Sequence, residues 1–486
     1  MKYISTRTNE VINSSHEAIL KGLADDGGLF LPEKLPKVYF SEDDIKRLSY
    51  KNVAKKVIGE IFDDFSVLEI DESVEAAYST FEKNILPITK LGNNYVLELY
   101  HGRTLAFKDF ALSILPYLMS IATRKFGVDE KIVILTATSG DTGSAALTGF
   151  SGVDGTEVIV FYPTEGISEI QRRQMVCLKE KNAHAVGIKG NFDDAQNALK
   201  NIFSDKDLKD ELRKKKILLS SANSINIGRL VPQISYYFYS YYELLKLGEI
   251  KESEVVNISV PTGNCGDILA GYMAKKMGLP IEILICASNE NNVLTEFFNT
   301  GIYNANREFF TTNSPSMDIL VSSNLERLLY IASDGNYEEV KNLMDNLKNH
   351  RKYEISETLK ENLKDFRAYS YNDEETLNEI KNTYNTYNYL VDTHTAIALR
   401  AAEEFNSRNK TLVLSTASPL KFPKAVSEAI GFEVYDDDFK CLENLVEKCS
   451  FNEPKVLKKL KTAKITETAV INKDEIKSKI VEILGE

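Results

Sequence analysis

Short β-branched runs that alternate with helix-like segments constrain this sequence more than any other feature. The runs are Ile132–Leu135, Val158–Phe161, Val255–Val260, Ile281–Ile285 and Leu412–Leu414. Several of them lead into a loop rich in Gly, Ser or Thr and then into a helical pattern. This alternation is typical of parallel sheets that helices cover on both faces. The predicted fold class is therefore α/β, with ligands expected beyond the carboxyl ends of the strands.

The composition is that of a globular protein with a sizeable core. The chain has 486 residues, of which 43% are hydrophobic, and its net charge is −12. An acidic chain is a poor nonspecific binder of nucleic acid, and the apolar runs are too short to span a bilayer. The first ten residues lack the apolar segment of a signal peptide, and the five cysteines show no CxxC pairing. We expect a cytoplasmic enzyme with a small-molecule substrate, no nucleic-acid or membrane partner, and no metal.

Lys108 is the first candidate for chemistry, because it lies among apolar residues in HGRTLAFKDFAL (His101–Leu112). An apolar setting destabilises the charged ammonium, so the neutral amine that attacks a carbonyl becomes accessible. The same pattern is also typical of a lysine that reaches water from an amphipathic helix.

Four loops could bind anions or polar groups near such a lysine. GNCGD (Gly263–Asp267) follows a predicted strand and opens a helix, which suits a phosphate, although many such turns are plain connections. TSGDTG (Thr138–Gly143) suits a carboxylate, and Asp141 there also fits a helix cap. SSANSINIGR (Ser220–Arg229) and LSTASPLKF (Leu414–Phe422) add further donors. One embedded lysine, one phosphate loop, one carboxylate loop and one hydroxyl together describe a pyridoxal phosphate site.

Seven motifs then identify a family resemblance: HGRTLAFKDFA, LTATSGDTGSAA, SSANSINIGRLVPQ, VPTGNCGD, SMDILVSSNLERLL, THTAIA and LSTASPLKFP. With the N-terminal YISTRTN and GLADDGGLFLPE, they resemble the threonine synthase family from near residue 3 to about residue 425. The resemblance implies a pyridoxal-phosphate-dependent lyase of the tryptophan-synthase-β-like fold (fold type II), with two parallel-sheet lobes and a helical N-terminal domain. It implies the last step of threonine biosynthesis, in which O-phospho-L-homoserine and water give L-threonine and phosphate by γ-elimination and β-addition.

The resemblance also implies roles for individual residues. Lys108 matches the Schiff-base lysine and the acid–base group, and Thr416 matches the residue that faces the pyridine nitrogen. The cofactor phosphate loop matches Gly263, Asn264, Cys265, Gly266 and Asp267. The loop for the substrate carboxylate matches Ser139, Gly140, Asp141 and Thr142, and Asn223 is expected near a substrate or cofactor oxygen. The candidates for holding the departing phosphate are Lys421, Arg229 and Arg103.

Some residues depart from the family pattern and leave a second activity open. Arg103 stands where the family usually has Pro, Cys265 replaces Phe, and Ser418 lies in an altered stretch before Lys421. An alternative is a phospho-lyase with the same cofactor that eliminates phosphate without productive hydration. A non-catalytic anion-binding protein with a decayed site is a third hypothesis, which the intact Lys108 and Thr416 disfavour.

The sequence also predicts a domain organisation. We predict a mostly helical N-terminal domain over 1–90, with a helix across Asp43–Phe62. We predict a large cofactor-binding domain over 91–128 and 255–440, with a helical insertion at about 336–390, and a small substrate-binding lobe over 129–254. Residues 441–486 are predicted to form a C-terminal helical tail, and the protein is expected to be a monomer or homodimer.

Overall fold

Two parallel sheets organise the chain, here described from a computed structural model that covers residues 1–127, 130–165, 167–178, 180–190, 192–449, 451–466 and 468–485. The strands are β1 (Tyr3–Ser5), β2 (Val11–Ile12), β3 (Phe30–Pro32), β4 (Ile88–Leu91), β5 (Asn94–Glu98), β6 (Lys131–Ala137), β7 (Thr156–Pro163), β8 (Ala183–Lys189), β9 (Ile217–Ser221), β10 (Val256–Pro261), β11 (Ile281–Ser288), β12 (Ile302–Asn304), β13 (Lys352–Glu354), β14 (Phe366–Ser370), β15 (Thr411–Ser415) and β16 (Val470–Asn472).

Helices connect and cover these strands. They are α1 (Ser15–Lys21), α2 (Glu42–Lys46), α3 (Tyr50–Ile61), α4 (Val67–Tyr78), α5 (Asp109–Leu112), α6 (Leu115–Phe126), α7 (Asp141–Phe150), α8 (Glu169–Val176), α9 (Phe192–Ser204), α10 (Lys206–Lys214), α11 (Ile227–Lys246), α12 (Gly266–Lys276), α13 (Val293–Thr300), α14 (Leu325–Ala332), α15 (Tyr337–His350), α16 (Glu357–Asn362), α17 (Asp373–Tyr387), α18 (Thr393–Phe405), α19 (Pro423–Ala429), α20 (Asp438–Lys448), α21 (Lys455–Thr462) and α22 (Ile476–Gly485).

The larger sheet has the order β14-β11-β10-β15-β5-β4, and the smaller has the order β16-β8-β7-β6-β9. Every strand pair in both sheets is parallel except β4 with β5. Each of the five predicted strands is present, so the α/β prediction with two parallel-sheet lobes is confirmed. The four polar loops follow the carboxyl ends of β6, β9, β10 and β15, as expected for parallel sheets.

Residues of β6 show why its sequence is an almost unbroken apolar run. Ile132 and Ile134 are buried in the main core, whereas Val133 and Leu135 are buried in a separate core that includes residues of α9, α10 and α22. Side chains alternate between the faces of a strand, so a strand covered on both faces is apolar at every position. The sequence of β6 therefore reflects burial on two sides.

The N-terminal segment is mostly helical but not continuous over Asp43–Phe62. The helix there is divided into α2 and α3, and the Ser49 hydroxyl accepts from Asn52 N (3.3 Å) at the start of α3. A hydroxyl at this position satisfies a backbone donor that has no intrahelical partner, so it favours a new helix start. The segment also holds the antiparallel sheet β2-β1-β3.

Two segments predicted to be helical also contribute strands. The segment 336–390 contains β14, an edge strand of the larger sheet, in which Phe366 and Ala368 are buried and Arg367 is exposed. The C-terminal segment contains β16, which pairs in parallel with β8. These strands are difficult to recognise in the sequence because the two segments contain many charged residues. An edge strand needs apolar residues on only one face. The predicted domain borders themselves stay a prediction.

In the described part of the chain, no helix combines the length and the apolar character that crossing a membrane requires.

Candidate active site

The predicted loops meet around one cavity between the two sheets. The predicted residues that line it are Lys108, Ser139, Thr142, Asn223, Arg229, Gly263, Asn264, Cys265, Gly266, Asp267 and Thr416. Gly140, Asp141 and Lys421 are buried beside it but do not line it. The structure therefore brings nearly all of the predicted residues together, although they come from distant parts of the sequence.

Backbone pairing holds Lys108 close to Thr416. Phe107 N donates to Thr416 O (2.8 Å), and Ser418 N donates to Leu105 O (3.1 Å). Leu105 has a φ of +58°, a conformation that non-glycine residues rarely adopt and that is common near functional sites. The loop before α5 is thus fixed to the end of β15, and this places the Lys108 amine and the Thr416 hydroxyl on one cavity.

Close packing inside the lysine loop explains its glycine. The Asp109 carboxylate accepts from Thr104 N (2.7 Å) and from Thr104 Oγ1 (2.8 Å). A Cβ atom at Gly102 would lie 2.5 Å from Asp109 Oδ2. Any side chain at position 102 would therefore displace the carboxylate that orders the loop.

The Lys108 amine is buried and has two polar neighbours. Its Nζ donates to Ser316 Oγ (3.3 Å) and lies 3.6 Å from Asp141 Oδ2. Burial lowers the pKa of Lys108 from 10.5 to about 8, although the Asp141 carboxylate opposes the shift. A lysine of this kind is partly neutral near physiological pH, which is the state that reacts with a carbonyl.

The glycine loop between β10 and α12 forms a tight turn against a neighbouring segment. A Cβ atom at Gly263 would lie 3.0 Å from Ser316 O and 3.1 Å from Met317 Cα. Cys265 adopts the left-handed conformation (φ +59°) immediately before α12. Gly263–Asp267 line the cavity, so the loop and the N-terminus of α12 border it, an arrangement that favours an anion.

Asp267 is buried at the start of α12 beside two tyrosines. Tyr236 OH and Tyr237 OH donate to its Oδ1 (2.6 and 2.7 Å), whereas Oδ2 is buried without a hydrogen-bond partner in the described part of the chain. Burial raises the pKa of Asp267 to about 6, although the two hydroxyls oppose the shift. This carboxyl is therefore poised to change protonation near neutral pH.

The second loop, between β6 and α7, is built around Thr138. Its Oγ1 accepts from Gly140 N (2.9 Å) and Gly143 N (2.8 Å). Gly140 has a φ of +134°, and a Cβ atom there would lie 2.6 Å from Gln171 Nε2. This position requires glycine, and the loop leaves Ser139 and Thr142 facing the cavity.

The structure gives Asp141 a different environment from the predicted one. Its carboxylate accepts from Gln171 Nε2 (2.9 Å) and Ser316 Oγ (2.9 Å), and it pairs with Lys421. Burial alone would raise the pKa of the Asp141 carboxyl, but Lys421 and Lys108 hold it well below its usual range. The side chain neither caps α7 nor lines the cavity, so its charge compensates cations instead.

Lys421 and Arg103, two predicted phosphate ligands, lie outside the cavity lining. Lys421 is fully buried, and its Nζ contacts Asp141 Oδ1 (2.6 Å) and Thr104 O (2.8 Å). Arg103 donates through Nη2 to the carbonyl of Thr148 and borders another cleft. Neither side chain lines the cavity, and the contact of either residue with the departing phosphate stays a prediction.

Arg229 does line the cavity, next to Asn223. Its Nη1 donates to Ala222 O (2.8 Å), and its Nη2 is 3.5 Å from Thr142 Oγ1. Burial lowers the pKa of Arg229 to about 10, so the guanidinium stays charged at neutral pH. Of the three predicted cations, only Arg229 is placed to meet an anion in the cavity.

Ser316 and His394 also line the cavity, although neither was predicted as a site residue. Ser316 Oγ bridges Lys108 and Asp141, and Ser316 N donates to His394 Nε2 (3.3 Å). His394 Nδ1 therefore carries the proton, which it donates to Asp392 Oδ2 (2.6 Å). Their positions in the sequence could have indicated both residues, because Ser316 is the first residue of the motif SMDILVSSNLERLL and His394 lies in the motif THTAIA.

The residues present fit pyridoxal phosphate. Three buried oxygens on the cavity, Asn223 Oδ1, Asn264 Oδ1 and Asp267 Oδ2, have no hydrogen-bond partner in the described part of the chain. Buried polar atoms are rarely left in this state unless a ligand or water satisfies them. A phosphate suits the glycine loop, and an aldehyde suits the Lys108 amine.

Comparison with known proteins agrees with this site. The chain matches three family models: "Threonine synthase N terminus" over residues 2–78, "Pyridoxal-phosphate dependent enzyme" over 88–416, and "Threonine synthase, C-terminal" over 395–463. It is 41% identical to a threonine synthase from Pseudomonas aeruginosa, with 88% of this chain and 90% of that protein covered.

Solved structures give the same result over the whole chain. A PLP-bound threonine synthase from Brucella melitensis is 38% identical, with a TM-score of 0.87 and coverage of 99% of this chain and 98% of that chain. Threonine synthase from yeast is 34% identical, with a TM-score of 0.86 and coverage of 100% and 99%. The chain therefore belongs to the threonine synthase family of pyridoxal-phosphate-dependent lyases.

Proposed function

We propose that this chain converts O-phospho-L-homoserine and water to L-threonine and phosphate. The observation that carries the proposal is the buried Lys108 amine, whose pKa is lowered to about 8 and which faces a cavity with an anion loop at one side and Arg229 at another. Family membership supports the reaction class, and the cavity supplies groups for each part of the substrate.

Three parts of the cavity would hold the cofactor. Lys108 would bond its aldehyde, the loop Gly263–Asp267 would bind its phosphate, and Thr416 would face its pyridine nitrogen. Bound pyridoxal phosphate supplies an electron sink for charge that develops on the substrate carbons. A hydroxyl at Thr416, in place of a carboxylate, favours an unprotonated pyridine nitrogen.

Lys108 would move the protons of the reaction. Its neutral amine accepts a proton at Nζ, and the resulting ammonium is stabilised by Asp141, 3.6 Å away. Ser316 Oγ accepts from Nζ and donates to Asp141 Oδ2, so it keeps the amine oriented in both protonation states. General acid–base transfer of this kind contributes about 10²–10⁴-fold to a rate.

Three parts of the cavity lining would hold the substrate. Ser139 and Thr142, with the N–H groups of their loop, suit the substrate carboxylate, and Gly140 and Asp141 support that loop from behind. Arg229 suits the departing phosphate, because a guanidinium forms paired hydrogen bonds to phosphate oxygens. Asn223, whose Oδ1 has no partner in the described part of the chain, suits a substrate hydroxyl or amine donor.

A product assay tests the proposal. The purified protein, loaded with pyridoxal phosphate and given O-phospho-L-homoserine, is expected to form threonine and phosphate in equal amounts. Phosphate with 2-oxobutyrate in place of threonine would instead identify the phospho-lyase alternative. The Arg229→Gln variant is expected to raise KM strongly, and the Lys352→Gln variant, an exposed lysine in β13, serves as the matched control.

We further propose a cytoplasmic monomer or homodimer, with the large cofactor domain over 91–128 and 255–440 and the small substrate lobe over 129–254. The two separate parallel sheets support this division, with one strand that begins outside these ranges added to each, β4 to the larger sheet and β16 to the smaller. Sedimentation of the loaded protein distinguishes monomer from dimer, and limited proteolysis tests the borders.

A further inference from the structure

A second cleft lies behind the lysine loop, separate from the catalytic cavity. It measures about 780 Å³ and is bounded by the segment after α4, the loop before Lys108, α8, and the segment that leads into α21. Volumes of about 300–1,000 Å³ are typical of small-molecule sites. The cleft and the catalytic cavity share no lining residue in the described part of the chain.

The cleft is strongly cationic, although the chain as a whole has a net charge of −12. Its lining includes six basic residues: Lys83, Arg103, Arg173, Lys455, Lys458 and Lys459. Apart from Arg173, these residues form no ion pair with the described part of the chain. The two lining carboxylates are already engaged, Glu82 with His101 and Glu453 with Lys461. Uncompensated positive charge in a concave surface attracts anions.

Three buried polar atoms of the lining have no hydrogen-bond partner in the part of the chain that the structure describes: Arg103 Nε, Gln174 Oε1 and Glu453 Oε1. The Glu453 oxygen lies 2.8 Å from Lys461 Nζ in an ion pair, so Arg103 Nε and Gln174 Oε1 are the two that have no partner of either kind there. Gln174 is only 5% exposed, and its Nε2 already donates to Thr104 O (3.1 Å). A buried donor and a buried acceptor that lack partners cost free energy unless a ligand or water satisfies them. A ligand that satisfied both atoms would need an acceptor group for Arg103 Nε and a donor group for Gln174 Oε1.

Docking of α21 places the backbone of Lys455, Lys458 and Lys459 at the cleft. Leu457 and Leu460 of this helix are buried, and Arg173 Nη1 donates to the carbonyls of Leu460 (3.2 Å) and Lys461 (3.0 Å). Lys458 and Lys459 are exposed on the same helix. The basic segment near the C-terminus is therefore a fixed wall of the cleft.

We propose that this cleft binds a small phosphate monoester that also carries a hydroxyl or amino donor. The phosphate would contact Arg103 and the lysines of α21, because guanidinium and ammonium groups are the preferred phosphate partners. The donor of the ligand would satisfy Gln174 Oε1. Thr104 also lines the cleft, and its carbonyl accepts from both Gln174 Nε2 and Lys421 Nζ. The inference does not rest on the catalysed reaction.

Calorimetric titration of the loaded enzyme with glycerol 3-phosphate at low ionic strength tests this site. Arg103→Gln is expected to weaken binding at least tenfold, and the paired change Lys458→Gln and Lys459→Gln at least fivefold. Gln174→Leu is expected to weaken the binding of glycerol 3-phosphate but not that of inorganic phosphate. This difference separates the contact to the ligand hydroxyl from the contacts to the phosphate charge. Lys352→Gln is the control for loss of one positive charge.

Arg229→Gln distinguishes this cleft from the catalytic cavity. Binding that survives Arg229→Gln and weakens in the cleft variants supports the proposal. Binding that is lost only in Arg229→Gln, or that is unchanged by both Arg103→Gln and the α21 pair, overturns it, as does the absence of binding to the native enzyme. The α21 variants change exposed side chains, so they keep the test valid if Arg103→Gln fails to fold.

Discussion

Lys421 Nζ lies 2.6 Å from Asp141 Oδ1, and both side chains are buried. Lys421 follows β15 of the larger sheet, whereas Asp141 opens α7 after β6 of the smaller sheet. The pair therefore joins the two lobes directly behind Lys108. A buried pair of opposite charges contributes little net free energy, but removing one partner leaves an uncompensated charge.

Lys421→Met is expected to destabilise the protein by about 3–5 kcal/mol, because the buried Asp141 carboxylate loses its closest cation and keeps the more distant Lys108. Urea unfolding of the cofactor-free protein measures this loss. The double variant Lys421→Met with Asp141→Asn removes both charges and is expected to recover part of the stability. A loss below about 1 kcal/mol in the single variant, the value of an exposed pair, would contradict the buried pairing.

Lys108→Ala is expected to lower threonine formation at least about 1,000-fold, since it removes both the covalent attachment and the proton carrier. The fold should persist, because the side chain contacts Ser316 through a hydrogen bond and Asp141 at 3.6 Å, and Asp141 keeps its closer ion pair with Lys421 when Lys108 is removed. Threonine formation and the far-ultraviolet circular dichroism spectrum measure the two effects. Lys352→Ala is the matched control, and turnover of the Lys108 variant within tenfold of native would refute the assigned role.

The rate of cofactor attachment is expected to rise with pH up to about 8 and then to level off. The reason is that burial lowers the pKa of Lys108 to about 8, and only the neutral amine reacts. Stopped-flow absorbance after mixing cofactor-free protein with pyridoxal phosphate gives the profile. Asp141→Asn is expected to move the midpoint to lower pH, because Asp141 raises the pKa of Lys108. A rate that keeps rising to pH 10.5 would disagree with the burial of Lys108.

Asp267→Asn is expected to change the pH dependence of stability in the cofactor-free protein. The pKa of Asp267 is raised from 3.8 to about 6, so the folded native protein holds a proton that the unfolded chain releases between these values. Its stability is therefore reduced as pH rises from about 4 to about 6. The stability of the variant relative to native should grow by roughly 3 kcal/mol between pH 4 and pH 7.

Denaturant unfolding at several pH values checks this expectation. Tyr237→Phe supplies the comparison, because it removes a donor that lowers the pKa of Asp267. Its stability loss should become larger as pH rises through 6. If the free energies of unfolding of the native protein and of Asp267→Asn change with pH in parallel, the carboxyl of Asp267 does not titrate in this range.

Local sequence determined the fold class and the positions of the polar loops. Ile132–Leu135 is apolar at every position because the strand is buried on both faces, so its pattern is visible without the structure. Gly263 and Gly140 were visible too, since the tight turns after β10 and β6 require glycine. The apolar residues around Lys108 made it a candidate, and the resemblance to a family assigned the roles of Lys108 and Thr416.

Only the tertiary structure decided which side chains meet. Lys421 was expected to face substrate phosphate, but it is neutralised by Asp141 from the other lobe, and Ser316 bridges that carboxylate to Lys108. Strand β14 and the docking of α21 beside Arg103 also depend on distant partners. Sequence reports the preferences of neighbouring residues, whereas burial, charge compensation and cleft formation arise between segments far apart in the chain.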